Sequence, residues 1–248
     1  MSLITIKDLN HSFGGLKAVS DFSLSADERT VHGVIGPNGA GKTTLFNLIT
    51  GLYKPSRGEI LFKELNIAGK KPYQISRMGI ARTFQNLRLF SDLTVLENIQ
   101  VGRLNHKNHL GGVSRTVADE GHIVQDLLDM VGLSNRAEEK ASNLPYGQQR
   151  KLEIARALAT QPEVLLLDEP AAGMNPKEVM NLVELIRQIK FEYKLTIILI
   201  EHQMKLVDEL CDHITVMNFG QVIARGLPKE IKEDPLVIKA YLGLGDVG

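Results

Sequence analysis

Apolar positions along this chain follow two rhythms. At 164–167 and 197–200 they run unbroken for four residues, too short for a helix, and read as strands buried on both faces. Residues 31–35 read as a further strand. Residues 43–52, 123–131 and 149–160 carry apolar residues at helical spacing. Residues 3–9 and 22–35 mix β-branched, apolar and polar residues around Gly14-Gly15, as strands of an N-terminal sheet would. Pro55 and Gly58 mark a turn before the alternating strand 59–62. Near the C-terminus, 215–217 and 222–224 flank Asn218-Phe219-Gly220 as a hairpin.

The stretch 86–145 has a different character. Thr94-Val95-Leu96-Glu97 is a capping-box pattern, Gly111-Gly112 marks a loop, and the whole reads as a mainly helical insert. Afterwards strands and helices alternate again, with Asn175 as N-cap and Pro176 as first helical residue of one helix. Apolar strands alternating with helices imply a parallel sheet covered on both faces.

Bulk composition changes this picture in three ways. The 248 residues suit one large domain or two small ones, and 43% hydrophobic with 23% charged residues supports a sizeable core. With 29 basic and 29 acidic side chains, the chain lacks the bulk positive charge of a nucleic-acid binder. The single cysteine, Cys211, excludes an internal disulfide and fits a reducing compartment. The first thirteen residues carry no signal-type apolar stretch, and no apolar run approaches the roughly 20 residues that span a bilayer. A membrane role is therefore expected to come through a partner.

The strongest chemical signal is Gly36-Pro37-Asn38-Gly39-Ala40-Gly41-Lys42-Thr43, which fits the phosphate-loop pattern G-x-x-x-x-G-K-[ST] and is followed by Thr44. Glycines let backbone N–H groups turn toward phosphate oxygens, and the helix after the loop points its positive end at the same anion. Lys42 would reach the β- and γ-phosphates of ATP, and Thr43 would hold Mg²⁺. The second signal is Asp168-Glu169 at the end of the buried strand 164–167. Acids there face the sheet edge where α/β proteins bind ligands. Asp168 would be a further Mg²⁺ ligand, and Glu169 the base that orients the attacking water.

Three further segments make the pattern specific. Leu144-Pro145-Tyr146-Gly147-Gln148-Gln149-Arg150 resembles the ABC signature, usually L-S-G-G-Q; His202 resembles the switch histidine; and Gln85, in Arg82-Thr83-Phe84-Gln85, resembles the Q-loop glutamine. Together the five motifs resemble those of an ABC transporter ATP-binding subunit. Phe13-Gly14-Gly15, Ala171-Ala172-Gly173-Met174-Asn175-Pro176 and the ending Ala240-Tyr241-Leu242-Gly243 are similar to the branched-chain amino acid importer type.

The resemblance implies an α/β fold: a P-loop NTPase core of parallel sheet with helices on both faces, an N-terminal antiparallel β subdomain and a helical insert. Its division would be 1–85 with 161–248 as ATP-binding core, and 86–160 as helical subdomain bearing the signature. It implies ATP hydrolysis at the cytoplasmic face of the membrane, coupled to amino-acid transport, with Mg²⁺ required. It implies a second ATPase cassette, permease subunits and an extracytoplasmic binding protein as partners. Phe13 would stack on adenine or be a plain core residue. Gln85 would sense Mg²⁺ and the γ-phosphate, and His202 would contact the γ-phosphate. Residues 144–148 would contact the ATP of the partner cassette.

Three positions depart from the pattern. Pro145 and Tyr146 replace the signature's serine and glycine, and Asn175 stands where an aspartate is usual. A soluble ABC ATPase of DNA repair or translation usually has two cassettes or long coiled coils, and this chain has one phosphate loop and no heptad run. A GTPase would need N-K-x-D, which is absent. Leu87, Leu89 and Phe90 after Gln85 are either core or a contact surface for the permease.

Overall fold

The computed structural model describes residues 2–104 and 117–242. The expected loop at Gly111-Gly112 and the closing Gly243 lie outside the described residues. The chain opens with the hairpin β1 (Ser2–Phe13) and β2 (Leu16–Asp27), longer than the pattern suggested. Residues 22–35, expected to lie wholly in the N-terminal sheet, divide between two sheets. Arg29 takes φ 61°, a left-handed conformation that breaks an extended strand, and β3 (Val31–Ile35) enters a different sheet.

Helix α1 (Lys42–Ile49) follows β3. Strands β4 (Arg57–Phe62) and β5 (Leu65–Asn66) return to the first sheet, which is antiparallel in the order β2-β1-β4-β5. Next come α2 (Pro72–Arg77), β6 (Ile80–Arg82), α3 (Val95–Leu104), α4 (Val117–Val131) and α5 (Tyr146–Leu158). The remainder alternates: β7 (Val164–Asp168), α6 (Pro176–Glu192), β8 (Thr196–Ile200), α7 (Met204–Leu210), β9 (His213–Asn218), β10 (Gln221–Gly226), α8 (Pro228–Glu233) and α9 (Pro235–Leu242). No helix among the described residues is long and apolar enough to cross a membrane.

The second sheet runs β10-β9-β3-β8-β7-β6, parallel from β9 to β6, with β10 antiparallel at the edge. Its side chains alternate between two cores. Leu165, Leu167, Ile197 and Leu199 face the helices α3 to α7. Val164, Leu166, Ile198 and Ile200 face α1 and the antiparallel sheet. Buried on both faces, these strands show unbroken apolar runs rather than alternation. Helices α3, α4 and α5 pack on one another, and their apolar face is continuous with the first of these cores. The Thr94 capping box forms as read: Thr94 N–H donates to Glu97 Oε2 at 2.7 Å and Glu97 N–H to Thr94 Oγ1 at 3.1 Å.

Parallel strands end on the same side. The C-terminal ends of β3, β6, β7 and β8 therefore bring the phosphate loop, the Gln85 segment, Asp168-Glu169 and Glu201-His202 to one edge of the sheet.

Candidate functional site

The phosphate loop turns sharply between β3 and α1, and two glycines explain how. Gly36 has φ 149°, and a Cβ there would lie 2.0 Å from the Met217 carbonyl oxygen. Gly41 has φ 102°, and a Cβ there would lie 2.2 Å from the Ala18 carbonyl oxygen. Any side chain at either position would force the loop off β9 or β2. Lys42 is 6% exposed, and its Nζ donates to the carbonyls of Gly36 at 2.7 Å and Pro37 at 3.0 Å. Burial lowers its pKa, while the charges of Glu169 and Asp168 pull it back up.

The loop opens onto a cavity of about 410 Å³. Asn38, Gly39, Ala40, Gly41, Lys42, Thr43 and Thr44 line it, with Phe13, Gln85 and Glu169. Thr43 is exposed in the first turn of α1. Phe13 is 46% exposed, so the plain core reading of this residue fails. Its ring meets His11 and Tyr53 edge-on at 4.7 and 5.3 Å. The cavity also takes in Phe219, at the tip of the β9–β10 hairpin, which the sequence pattern marked only as a turn. A larger cavity of about 720 Å³ lies around Ser2, Lys63, Glu163 and Tyr193 and contains none of the motif residues. Volume is therefore a poor guide to the chemistry here.

Glu169 is the centre of the polar cluster. Gln85 Nε2 donates to Glu169 Oε2 at 2.9 Å, and His202 Nδ1 lies 3.7 Å from the same oxygen. Glu169 has φ 45°, a strained backbone for a glutamate that costs of order 1–3 kcal/mol. Its N–H donates to Ile200 O at 2.9 Å, which ties it to β8. Beside it, Asp168 Oδ2 accepts from Arg82 Nη2 at 2.7 Å, while Oδ1 is buried with no hydrogen-bond partner. Burial pushes the Asp168 pKa up, and the Arg82 hydrogen bond and charge oppose that shift.

The structure does not bring the signature residues to this cavity. Leu144 is buried, Pro145 caps α5, and Gln148 and Gln149 donate their N–H groups to Pro145 O at 2.9 and 3.0 Å. Tyr146 is exposed and close to Arg150, whose Nη2 lies 3.2 Å from its hydroxyl. Gly147 sits beside α6, where a Cβ would meet Glu178 Oε1 at 3.1 Å. Asn175 is a helix cap: its Oδ1 accepts from Lys177 N and Glu178 N, both at 3.0 Å.

Four charged residues to which the sequence motifs assign no role hold the site together. Arg82 bridges Asp168 to α1, with Nη1 donating to Asn47 Oδ1 at 2.7 Å. Arg150, fully buried, donates to Phe84 O at 2.6 Å, Gln85 O at 2.7 Å and Glu153 Oε2 at 2.6 Å. Glu153 in turn accepts from Phe84 N and Arg88 N. The segment around Gln85 is thus held to the signature helix by its backbone. Glu201 is buried at the end of β8. A signal for it existed: like Asp168, it is a carboxylate placed directly after a buried apolar strand.

Comparison with known proteins agrees with this geometry. A family model described as "ABC transporter" matches residues 19–172, and one described as "Branched-chain amino acid ATP-binding cassette transporter" matches residues 221–247. The high-affinity branched-chain amino acid transport ATP-binding protein LivG of Salmonella typhimurium is 48% identical, over 97% of this chain and 98% of its own length. The corresponding BraF of Pseudomonas aeruginosa is 45% identical, over 97% of this chain and 98% of its own. Among solved structures, the ADP conformation of MJ1267, an ATP-binding cassette of an ABC transporter, superposes with a TM-score of 0.88 at 33% identity, covering 98% of this chain and 99% of that one.

Proposed function

We infer the work of this chain from one premise: it belongs to the ABC transporter ATP-binding family, in the branched-chain amino acid branch. It is the ATP-binding and ATP-hydrolysing subunit of an ABC importer for branched-chain amino acids. The observation that supports the site reading best is the convergence on Glu169. Gln85 and His202, distant in sequence, both reach its Oε2 beside the phosphate loop.

In the proposed reaction, ATP enters the cavity with its base near Phe13 and its phosphates in the loop. Lys42 then gives up the carbonyls of Gly36 and Pro37 for the β- and γ-phosphate oxygens. Glu169 polarises a water in line with the γ-phosphate, Gln85 orients it, and His202 steadies the charge that develops. Little covalent work falls to the protein, so positioning and electrostatics carry the rate. The donor set fits Mg²⁺: a hard cation suits the Thr43 hydroxyl and the unpartnered buried oxygen of Asp168, with Gln85 as a further oxygen. When bound, Mg²⁺ would neutralise charge on the β- and γ-phosphates.

The placement of residues 144–148 away from the cavity favours their use on the ATP of a second cassette, through Gly147 and the N-terminus of α5. The residues Phe84, Phe90, Arg156 and Gly102 line a separate groove of about 310 Å³ beside the Gln85 segment, a surface suited to a permease. Membrane attachment through such permeases, an extracytoplasmic binding protein, and the division into 1–85 with 161–248 and 86–160 complete the proposal. The test is Glu169→Gln. ATP binding should remain while turnover falls by about 10²–10⁴-fold, the usual range for losing a general base. Near-normal turnover would refute the assignment.

A further inference from the structure

The carboxylate of Glu201 joins two loops that the reaction needs in register. Fully buried after β8, it accepts the Ala171 N–H on Oε1 at 2.9 Å. Its Oε2 accepts the His202 N–H at 3.0 Å and the Gln203 N–H at 3.3 Å. Gln203 makes the return contact, its Nε2 donating to Ala171 O at 3.1 Å. Both backbone polar groups of Ala171 are thereby held from the loop that carries His202.

Ala171 lies two residues after Glu169, whose φ of 45° persists only if its surroundings over-determine it. On one side Glu169 is held by Ile200 O. On the other, Ala172 N donates to Glu169 O at 3.1 Å and Met174 N to Ala171 O at 3.1 Å, so the loop is a chain of turns pinned at Ala171.

The geometry points to Glu201 as a positioning residue. It fixes the distance and direction between His202 and the Glu169 carboxylate by stapling the loop after β7 to the loop after β8. This inference rests on the proposed roles of Glu169 and His202. The chemistry explains why the residue is a carboxylate. Three N–H groups from two loops converge on a carboxylate that is itself buried, and two oxygens that only accept satisfy all three. Glutamine has the same shape but turns one acceptor into a donor facing a donor.

The experiment measures ATP turnover and melting temperature for Glu201→Gln, His202→Ala, the double variant, and Gln203→Met, which removes the return contact without touching a charge. Glu201→Gln should lower kcat about tenfold or more with KM within about twofold. In the His202→Ala background it should add less than about twofold, because both changes remove one function. Wild-type kcat in Glu201→Gln, or a full multiplicative loss in the double variant, overturns the inference and leaves the roles of Glu169 and His202 standing. Wild-type turnover in His202→Ala overturns both. If Glu201→Gln does not fold, Gln203→Met decides: a kcat defect that vanishes in the His202→Ala background supports the staple, and wild-type kcat overturns it.

Discussion

Arg82 is a single residue that gathers three elements at the site. It leaves β6, lies over the rings of Phe46 and Phe84 at 5.3 and 4.7 Å, grips Asn47 on α1, and pairs with Asp168 at the end of β7. Both partners of the ion pair are almost wholly buried, with side-chain exposures of 4% and 2%. Removing one partner leaves the other uncompensated in a poor dielectric, which costs about 3–5 kcal/mol. Arg82→Met should therefore lose that much stability in urea denaturation, and a loss below about 1 kcal/mol would show that the pair is replaced by water. Asp168 was visible in the sequence because an acid after four apolar residues is conspicuous. Its partner was not, since nothing in a linear pattern says which of many arginines will face it across the sheet.

Between elements, the β3–β9 pair carries a built-in sensitivity to acid. His32 is buried in β3, and its Nε2 lies 2.8 Å from Thr215 Oγ1 on β9. Burial, helped by the charges of His213 and Arg225, pushes its pKa from 6.5 to about 4. The unfolded chain then binds the extra proton first, so stability is fully present above pH 6.5 and is lost as pH falls toward 4. The expected contribution is about 3 kcal/mol across that window. His32→Gln keeps a hydrogen-bonding group for Thr215 without the titration, and should flatten the melting temperature between pH 7 and pH 4.5 relative to the wild type. An unchanged slope would place the acid sensitivity elsewhere. At this scale the strands at 164–167 and 196–200, the helix capped by Asn175 and the hairpin around Phe219 were all legible. The short strand β6 was not: three residues carry too little pattern, although they position Gln85.

Over the whole molecule, the question is which surface meets the membrane partner. Of the three apolar residues after Gln85, Leu89 packs against the core, the first of the two alternatives the sequence left open for it. Phe90 is 49% exposed and lines the groove beside the Gln85 segment. Its backbone is anchored, N–H to Asn98 Oδ1 at 3.0 Å and carbonyl from Asn98 Nδ2 at 3.0 Å, so the ring is presented from a fixed point. Exposed, well-supported aromatics are typical interface anchors. Phe90→Glu should leave ATP binding by the isolated chain unchanged yet abolish co-purification with the permease. Retained co-purification would move the docking surface elsewhere. Leu89→Glu would not test docking alone, because Leu89 is partly buried against the core.

What the sequence determined alone was the set of chemical groups and the kind of fold. The phosphate loop, the acid pair and the apolar runs are local signals, because glycine geometry and strand burial act over a few residues. Tertiary structure decided how those groups meet. Only the parallel sheet, by ending β3, β6, β7 and β8 on one edge, sets Gln85 and His202 against Glu169. Only the packing of separate loops shows Arg82 on Asp168 and Glu201 on Ala171. Such contacts depend on register between strands far apart in the chain, and no local pattern of apolar and polar residues carries that information.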